Sequence, residues 1–392
     1  GESETSAAAK TAGDQQEDCR RQIKTQNSGT KLTGPVILDL GTGYLKAGFA
    51  GEKKPLCVIS SVIKKVREFP GNCKQSFAGK LLEKPEHDLI YPLKNGLVDD
   101  WDTLEELWKH VSEKELGIAT EDHPVLVSEH PLTPTRSREK MAELMFETFS
   151  VPAVHMAYQP ALLLYSYGKT SGLVLESGHG GSYVAAVYNG CHRPTTACVV
   201  DYGGQTLNAH LLRLLNESGQ GIQDHSLNIV EEIKEKCCYV ARDIDYELYL
   251  PESRYKVEYE LPDGRIIFVG KERFTCPEAL FHPNKMGSTE PGLPTLMMNC
   301  INKQDRRTRG ELLRNIVIGG GSTMFMGFPK RLTQELGRLS LNSDVLIEAG
   351  FQRKHTVWIG GSILASLRSF HPLWVQKKEY DEKGVSALHR KC

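Results

Sequence analysis

Two short stretches of this chain hold residues able to handle phosphate. Asp39-Leu40-Gly41-Thr42-Gly43 follows the apolar run Val36-Ile37-Leu38 and leads into Tyr44-Leu45-Lys46-Ala47. Glu176-Ser177-Gly178-His179-Gly180 follows Leu173-Val174-Leu175 and leads into Gly181-Ser182-Tyr183-Val184. Both read as apolar strand, acid, x-Gly-x-Gly turn and returning strand. Glycine lets the backbone come close to a bound group, and successive N–H groups in such a turn cradle anionic oxygens. Thr42 and Ser177 add hydroxyls. An acid at the mouth of the turn, Asp39 or Glu176, can hold the water shell of Mg²⁺. One such turn is ordinary turn chemistry. Two with the same flanks form a clamp for a polyphosphate and mark an internal duplication. A third glycine-rich turn, Gly319-Gly320-Gly321-Ser322-Thr323-Met324-Phe325, follows the strand-like Ile316-Val317-Ile318 and suits close approach by a planar base or ribose.

The segments between these turns read as helices that position them. Leu104, Leu107, Trp108 and Val111 fall at helical spacing, as do Met141, Leu144, Met145 and Phe149 after Pro134. Ile229, Ile233 and Val240 mark another helix, with Lys234, Glu235 and Lys236 on its polar side. Residues 357–367 are apolar enough for a buried helix, and Gly360-Gly361 permits close packing there. Strands alternating with helices imply α/β layers.

A length of 392 residues exceeds one ordinary core and fits two large domains. With 40% hydrophobic and 25% charged residues the composition is that of a globular protein. The net charge of -1 provides no basic field for nucleic acid or for electrostatic membrane docking. The chain shows no apolar run near the length of a membrane span and no signal-peptide pattern at its start, so a cytoplasmic protein is expected. The ten cysteines are scattered without CxxC spacing, which predicts free thiols in place of a zinc site. Residues 1–33 hold almost no large apolar side chain and are expected to form a disordered extension.

At these residues the chain resembles the actin family, from about residue 35 to residue 392. Residues 39–51 look like the family's first phosphate loop. Ile233-Lys234-Glu235-Lys236 with Cys238-Tyr239-Val240-Ala241 looks like its adenosine-contacting helix. Residues 259–264, 272–274, 276–281, 357–367 and 389–392 look nearly unaltered. The resemblance implies the actin fold: two duplicated α/β domains around a nucleotide cleft. The first would span 34–169, rejoined by about 354–392, and the second 170–353. It implies ATP or ADP, with or without Mg²⁺. Gly41, Thr42, Gly43, Tyr44 and Lys46 would meet the phosphates from one side, and Ser177, Gly178, His179 and Gly180 from the other. Asp39 and Glu176 would face the metal, and Gln159 would position the attacking water. Asp201 would lie near the ribose, and Lys234, Glu235 and Lys354 would flank the adenine. Gly320, Gly321, Ser322, Met324 and Phe325 would form the wall against base and phosphate.

The chain also departs from the family. Its second loop opens with Glu176 where the family has aspartate, the loop's second aspartate is His179, and a histidine near the attacking water is Tyr183. Pro160 follows Gln159 where the family has a small residue. These changes remove a metal-facing charge and a proton-relay group, so binding is expected to outlast hydrolysis. The family's mobile polymer-contact loop resembles 64–76, which is shorter and charged here. The interstrand plug loop resembles 283–295, where Lys285 and Glu290 replace apolar surface. An unpartnered charge at a buried contact costs on the order of several kcal/mol, which argues against uniform homofilaments.

Three functions follow. The first is a divergent actin-like cytoskeletal or scaffold subunit, held with other actin-like or cytoskeletal proteins in a heteromeric assembly. Ser177-Gly178-His179-Gly180 with Tyr183 looks like the germ-cell actin-like proteins, the actin-like protein 9 group in particular, and implies a sperm or spermatid structure. The second is a polymerising actin-type ATPase. The third is a nuclear actin-related subunit of a chromatin-remodelling complex, which large insertions would favour; the chain follows actin's length closely.

Overall fold

Val36–Leu40 forms β1 and Tyr44–Phe49 forms β2, an antiparallel pair closed by the first glycine turn. In this computed structural model the described residues are 34–67, 73–77, 87–223, 227–341 and 344–391. The extension 1–33 and the tip of the 64–76 loop lie outside them; within that loop Ile63–Arg67 and Cys73–Phe77 pair as a hairpin. β3 (Cys57–Ser60) continues the first sheet beyond β2, and β4 (Val125–Glu129) runs parallel to β1 on the other side. β5 (Ala153–Tyr158) and Val375–Gln376 complete its six strands.

The second sheet repeats this plan. β6 (Gly172–Ser177) pairs antiparallel with β7 (Ser182–Tyr188) and parallel with β9 (Ile316–Gly319), with β8 (Cys198–Val200) on the outer side of β7. Apolar alternation is lost in β1 and in most of β6 because both faces of each sheet are covered, as expected of central strands in an α/β layer. Register makes the duplication explicit. Asp39 stands opposite Lys46 in the first hairpin, and Glu176 stands opposite Tyr183 in the second.

Two helices pack between the sheets: α1 (Gln159–Ser166) and α3 (Thr356–Ser366), whose closeness follows from the Gly360-Gly361 pair. Ile37 and Leu126 of the first sheet share one apolar cluster with Val174, Val187 and Val317 of the second, and with Leu162 and Trp358 of the helices. The Trp358 indole donates to the Ile37 carbonyl at 3.1 Å, which satisfies its only polar atom inside that layer. The fold is that of the actin expectation, with duplicated α/β units.

α2 (Leu227–Cys237) differs from the sequence reading in two ways. Val240 lies past its end, buried beside the bridge between Tyr239 and Met326. Lys234 is not on a solvated face: it is buried, and its ammonium donates to the Gly204 carbonyl at 3.1 Å. Cys57, Cys191, Cys198, Cys237, Cys238, Cys276 and Cys300 are free thiols, as composition predicts. Among the described residues no helix is long and apolar enough to cross a membrane.

Candidate functional site

The two glycine hairpins face each other across a cleft of about 730 Å³. Asp39, Gly41, Thr42, Gly43, Tyr44 and Lys46 line it from the first sheet. Glu176, Gly178, His179 and Gly180 line it from the second. Lys234 and Glu235 enter from α2, and Gly320, Gly321, Ser322, Met324 and Phe325 close the far wall with Lys354. Gln159, at the first turn of α1, lies at the base.

Two expected residues are placed differently. Ser177 is fully buried behind the turn, its hydroxyl hydrogen-bonded to that of Ser182 at 2.8 Å, so it braces the hairpin and does not face the cleft. Asp201 is exposed just beyond β8 and does not line the cleft, although Val199 and Val200 do. Asp201 lies past the last strand residue, Val200, where the pleat no longer sets the direction of its side chain.

Asp39 is held from two sides. The Ser128 hydroxyl donates to its Oδ1 at 2.6 Å, and Lys46 Nζ lies 3.5 Å from its Oδ2. Gln159 Nε2 donates to the Leu40 carbonyl at 3.3 Å and to Ser128 Oγ at 3.4 Å. Its amide nitrogen is therefore tied to the wall. Glu176 is half-buried. Burial, with the charge of Asp39 added, pushes its carboxyl up to about 7, against the pull of Tyr183 and Lys46. The Tyr183 hydroxyl is enclosed without a partner in good hydrogen-bond geometry, and burial followed by the nearby Glu176 pushes it well above the usual phenol range. Its ring meets His130 edge-on, centroids 5.4 Å apart. Burial also holds His130 down to about 4, hence neutral at pH 7.

These groups fit a magnesium–polyphosphate in a particular way. Among the described residues no cluster of three or more His, Cys, Asp or Glu side chains is arranged to hold a metal. Asp39 and Glu176 supply two carboxyls, which suits an ion that keeps its waters and takes further oxygens from phosphate. Glu176 lines the cleft, with the enclosed Tyr183 hydroxyl close to its carboxyl. The glycine wall provides the close approach: Gly320 has φ +95°, and a side chain there would run into the backbone of Ser177. Ser322 donates to the Gly178 carbonyl at 3.0 Å, joining this wall to the second hairpin. Thr42 Oγ1 accepts from the Gly96 N–H at 2.8 Å and keeps its own proton to donate. At the other end of the cleft Lys354 and Glu235 pair at 3.3 Å.

Glu231 also lines the cleft, and the sequence reading does not place it there. It accepts from the Tyr44 hydroxyl at 2.8 Å and lies 3.6 Å from Nδ1 of His179. Burial by itself would raise its carboxyl; the contacts with His179 and Tyr44, together with Lys234, bring it to about 2. The available signal was spacing: Glu231, Lys234 and Glu235 fall at i, i+3 and i+4 and so share one helical face. His130 and Arg273 also line the cleft, and no local motif announces either.

The sequence family described as Actin matches residues 30–392. Actin-like protein 7A of Rattus norvegicus is 43% identical over 385 residues, 97% of this chain and 88% of that protein. Actin-like protein 7B of Homo sapiens is 45% identical over 378 residues, 95% of this chain and 91% of that protein. Actin-like protein 7A of Bos taurus is 45% identical over 368 residues, 92% of this chain and 84% of that protein. These relatives fix the family and leave the finer likeness to the actin-like protein 9 group where the second loop put it. With the duplicated sheets, the paired glycine hairpins and a match over nearly its whole length, the chain belongs to the actin family.

Proposed function

We propose that this protein binds ATP or ADP in the cleft, with Mg²⁺ beside Asp39 and Glu176, and acts as a cytoskeletal or scaffold subunit with weak or absent hydrolysis. The observation that carries this is the meeting of two glycine hairpins, one from each sheet, over a single cavity of about 730 Å³. Lys46, Thr42 and the turn N–H groups would bind the phosphates, and Lys234, Glu235 and Lys354 would flank the base. A bound Mg²⁺ would neutralise phosphate charge. The cleft would separate a first domain of 34–169 with 354–392 from a second of 170–353. Thermal unfolding tests the binding, because a ligand that favours the native state must raise its stability. ATP with Mg²⁺ should raise the midpoint of the wild type and leave Asp39→Ala with Gly178→Val unmoved. An unmoved wild type overturns the reading.

The assembly we propose is heteromeric, with cytoskeletal or other actin-like partners in male germ cells. Lys285 and Glu290 are both exposed in the plug-like segment, where they would oppose burial against another copy. Sedimentation of the pure protein in Mg²⁺ and salt should leave it in the supernatant; filaments seen by microscopy would overturn this assignment.

A further inference from the structure

The hairpin tips touch directly, and three side chains bind them together. A side chain on Gly43 of the first hairpin would collide with the His179 ring of the second, and one on Gly180 would collide with Thr42. Tyr44 packs edge-on against His179, with centroids 5.7 Å apart and planes at 81°. Both residues then converge on Glu231 of α2: the Tyr44 hydroxyl on Oε2 at 2.8 Å, His179 Nδ1 toward Oε1 at 3.6 Å. Each carboxylate oxygen thus faces one partner from a different hairpin.

This arrangement has a direct consequence for a cleft that takes polyphosphate. A bare carboxylate at Glu231 would repel phosphate. Here the Tyr44 hydroxyl donates to one of its oxygens, His179 Nδ1 stands 3.6 Å from the other, and Lys234 lies one turn away, so the carboxylate is turned toward the hairpin tips. Tyr44 belongs to the first sheet, and Glu231 and His179 to the second half of the chain, so separating the tips must break the Tyr44 contact. We propose that Tyr44, Glu231 and His179 form a clasp that holds the hairpin tips together and sets the rate at which nucleotide leaves; the release half of this statement rests on the nucleotide reading above.

Two variants take the clasp apart without enlarging any side chain. Tyr44→Phe removes only the hydroxyl. Glu231→Gln keeps an acceptor for Tyr44 and loses the charge that faces His179. Amide hydrogen exchange across 39–46 and 176–183 is read first, in the nucleotide-free full chain. Each variant should speed exchange at both tips by about tenfold, the worth of a hydrogen bond to a charged group. The double variant should fall short of the product of the two single effects, because the members act as one unit. Unchanged exchange, or fully multiplicative effects, would overturn the clasp. Release of a fluorescent ATP analogue is read second, and should speed by about the same factor in Tyr44→Phe. Loosened tips with unchanged release would overturn the kinetic role. Failure of the wild type to bind the analogue would overturn the nucleotide reading and the release half with it, while the exchange result decides the clasp by itself.

Discussion

Gly360 lies directly against the carbonyl of Leu162, so close that a Cβ at position 360 would collide with that oxygen. This is the contact through which α1 and α3 pack between the two sheets. The next residue repeats it on the other side, where a Cβ on Gly361 would stand 2.7 Å from Cγ2 of Ile37. Neighbouring backbone cannot retreat as a flexible side chain can.

Gly360→Ala should therefore destabilise the protein by about 3 kcal/mol, at the upper end for overpacking a well-filled site. Gly310→Ala is the matched comparison. Gly310 lies in the short helix Arg309–Leu313 with nothing near its Cβ position, so alanine there should stabilise by up to about 1 kcal/mol. Urea unfolding midpoints of the two variants, moving in opposite directions from wild type, would bear this out.

That glycine pair was legible in the sequence, and so were both hairpins, because each carries its cause locally: a turn needing glycine between strands that must be apolar. The burial of Lys234 was not legible. Its neighbours Glu235 and Lys236 suggest a solvated face, whereas the Gly204 carbonyl, thirty positions away, accepts from its ammonium. Ser177 was assigned to phosphate on the same local logic and fails because Ser182, across the hairpin, takes its hydroxyl. Glu231 was hidden for a related reason. Its partners Tyr44 and His179 come from two other elements, and only the closing of the cleft brings the three together.

A buried ion pair fixes the second half of the chain. Arg331 is 4% exposed and Glu278 fully buried, and they bond in a bidentate pair at 2.9 and 2.8 Å. Arg331 also donates to the Ala241 carbonyl at 2.9 Å, which ties the pair to the end of the segment after α2. Glu278→Ala should cost about 3 kcal/mol, because the buried guanidinium loses its bidentate partner and keeps one carboxylate contact, Nε to Glu335 at 2.9 Å. Combining Glu278→Leu with Arg331→Met should cost much less than either change alone. Equal losses in the single and double variants, measured by calorimetry, would show that packing and not charge governs the site.

Glu176 gives the cleft a pH dependence with a definite sign. Its carboxyl is raised from 4.5 to about 7 in the folded protein, by burial and then by Asp39. Its contribution to stability is fully present below pH 4.5 and is lost as pH rises through about 7. Glu176→Gln keeps a neutral group at every pH. Relative to wild type, this variant should gain stability between pH 5 and pH 8, by up to about 3 kcal/mol. Magnesium needs the charged form, so the affinity of wild type for Mg²⁺–nucleotide should rise across the same window and that of Glu176→Gln should stay flat. A constant difference in melting temperature between the two proteins at all pH values would contradict the assignment.

Hydrolysis is the last property that the cleft geometry bears on. Cleaving a phosphate bond requires water held in line and shielding of the charge that develops. Gln159 spends its amide nitrogen on Leu40 and Ser128, leaving its carbonyl oxygen as the group able to orient a water. Tyr183, enclosed against His130 and raised above the usual phenol range, cannot take a proton near pH 7. His179 is committed to Glu231 and offers no carboxylate to metal-bound water. Single-turnover ATP cleavage should therefore run at least about tenfold below actin measured side by side, or about 1.4 kcal/mol of lost barrier stabilisation. Restoring His179→Asp and Tyr183→His should recover part of this, but an aspartate at 179 would face the Glu231 carboxylate and repel it. The gain should appear when Glu231→Gln is added to the pair and be smaller without it. Wild-type cleavage equal to that of actin would overturn the expectation, and a slow wild type unimproved by the triple change would assign the slowness to some other part of the cleft.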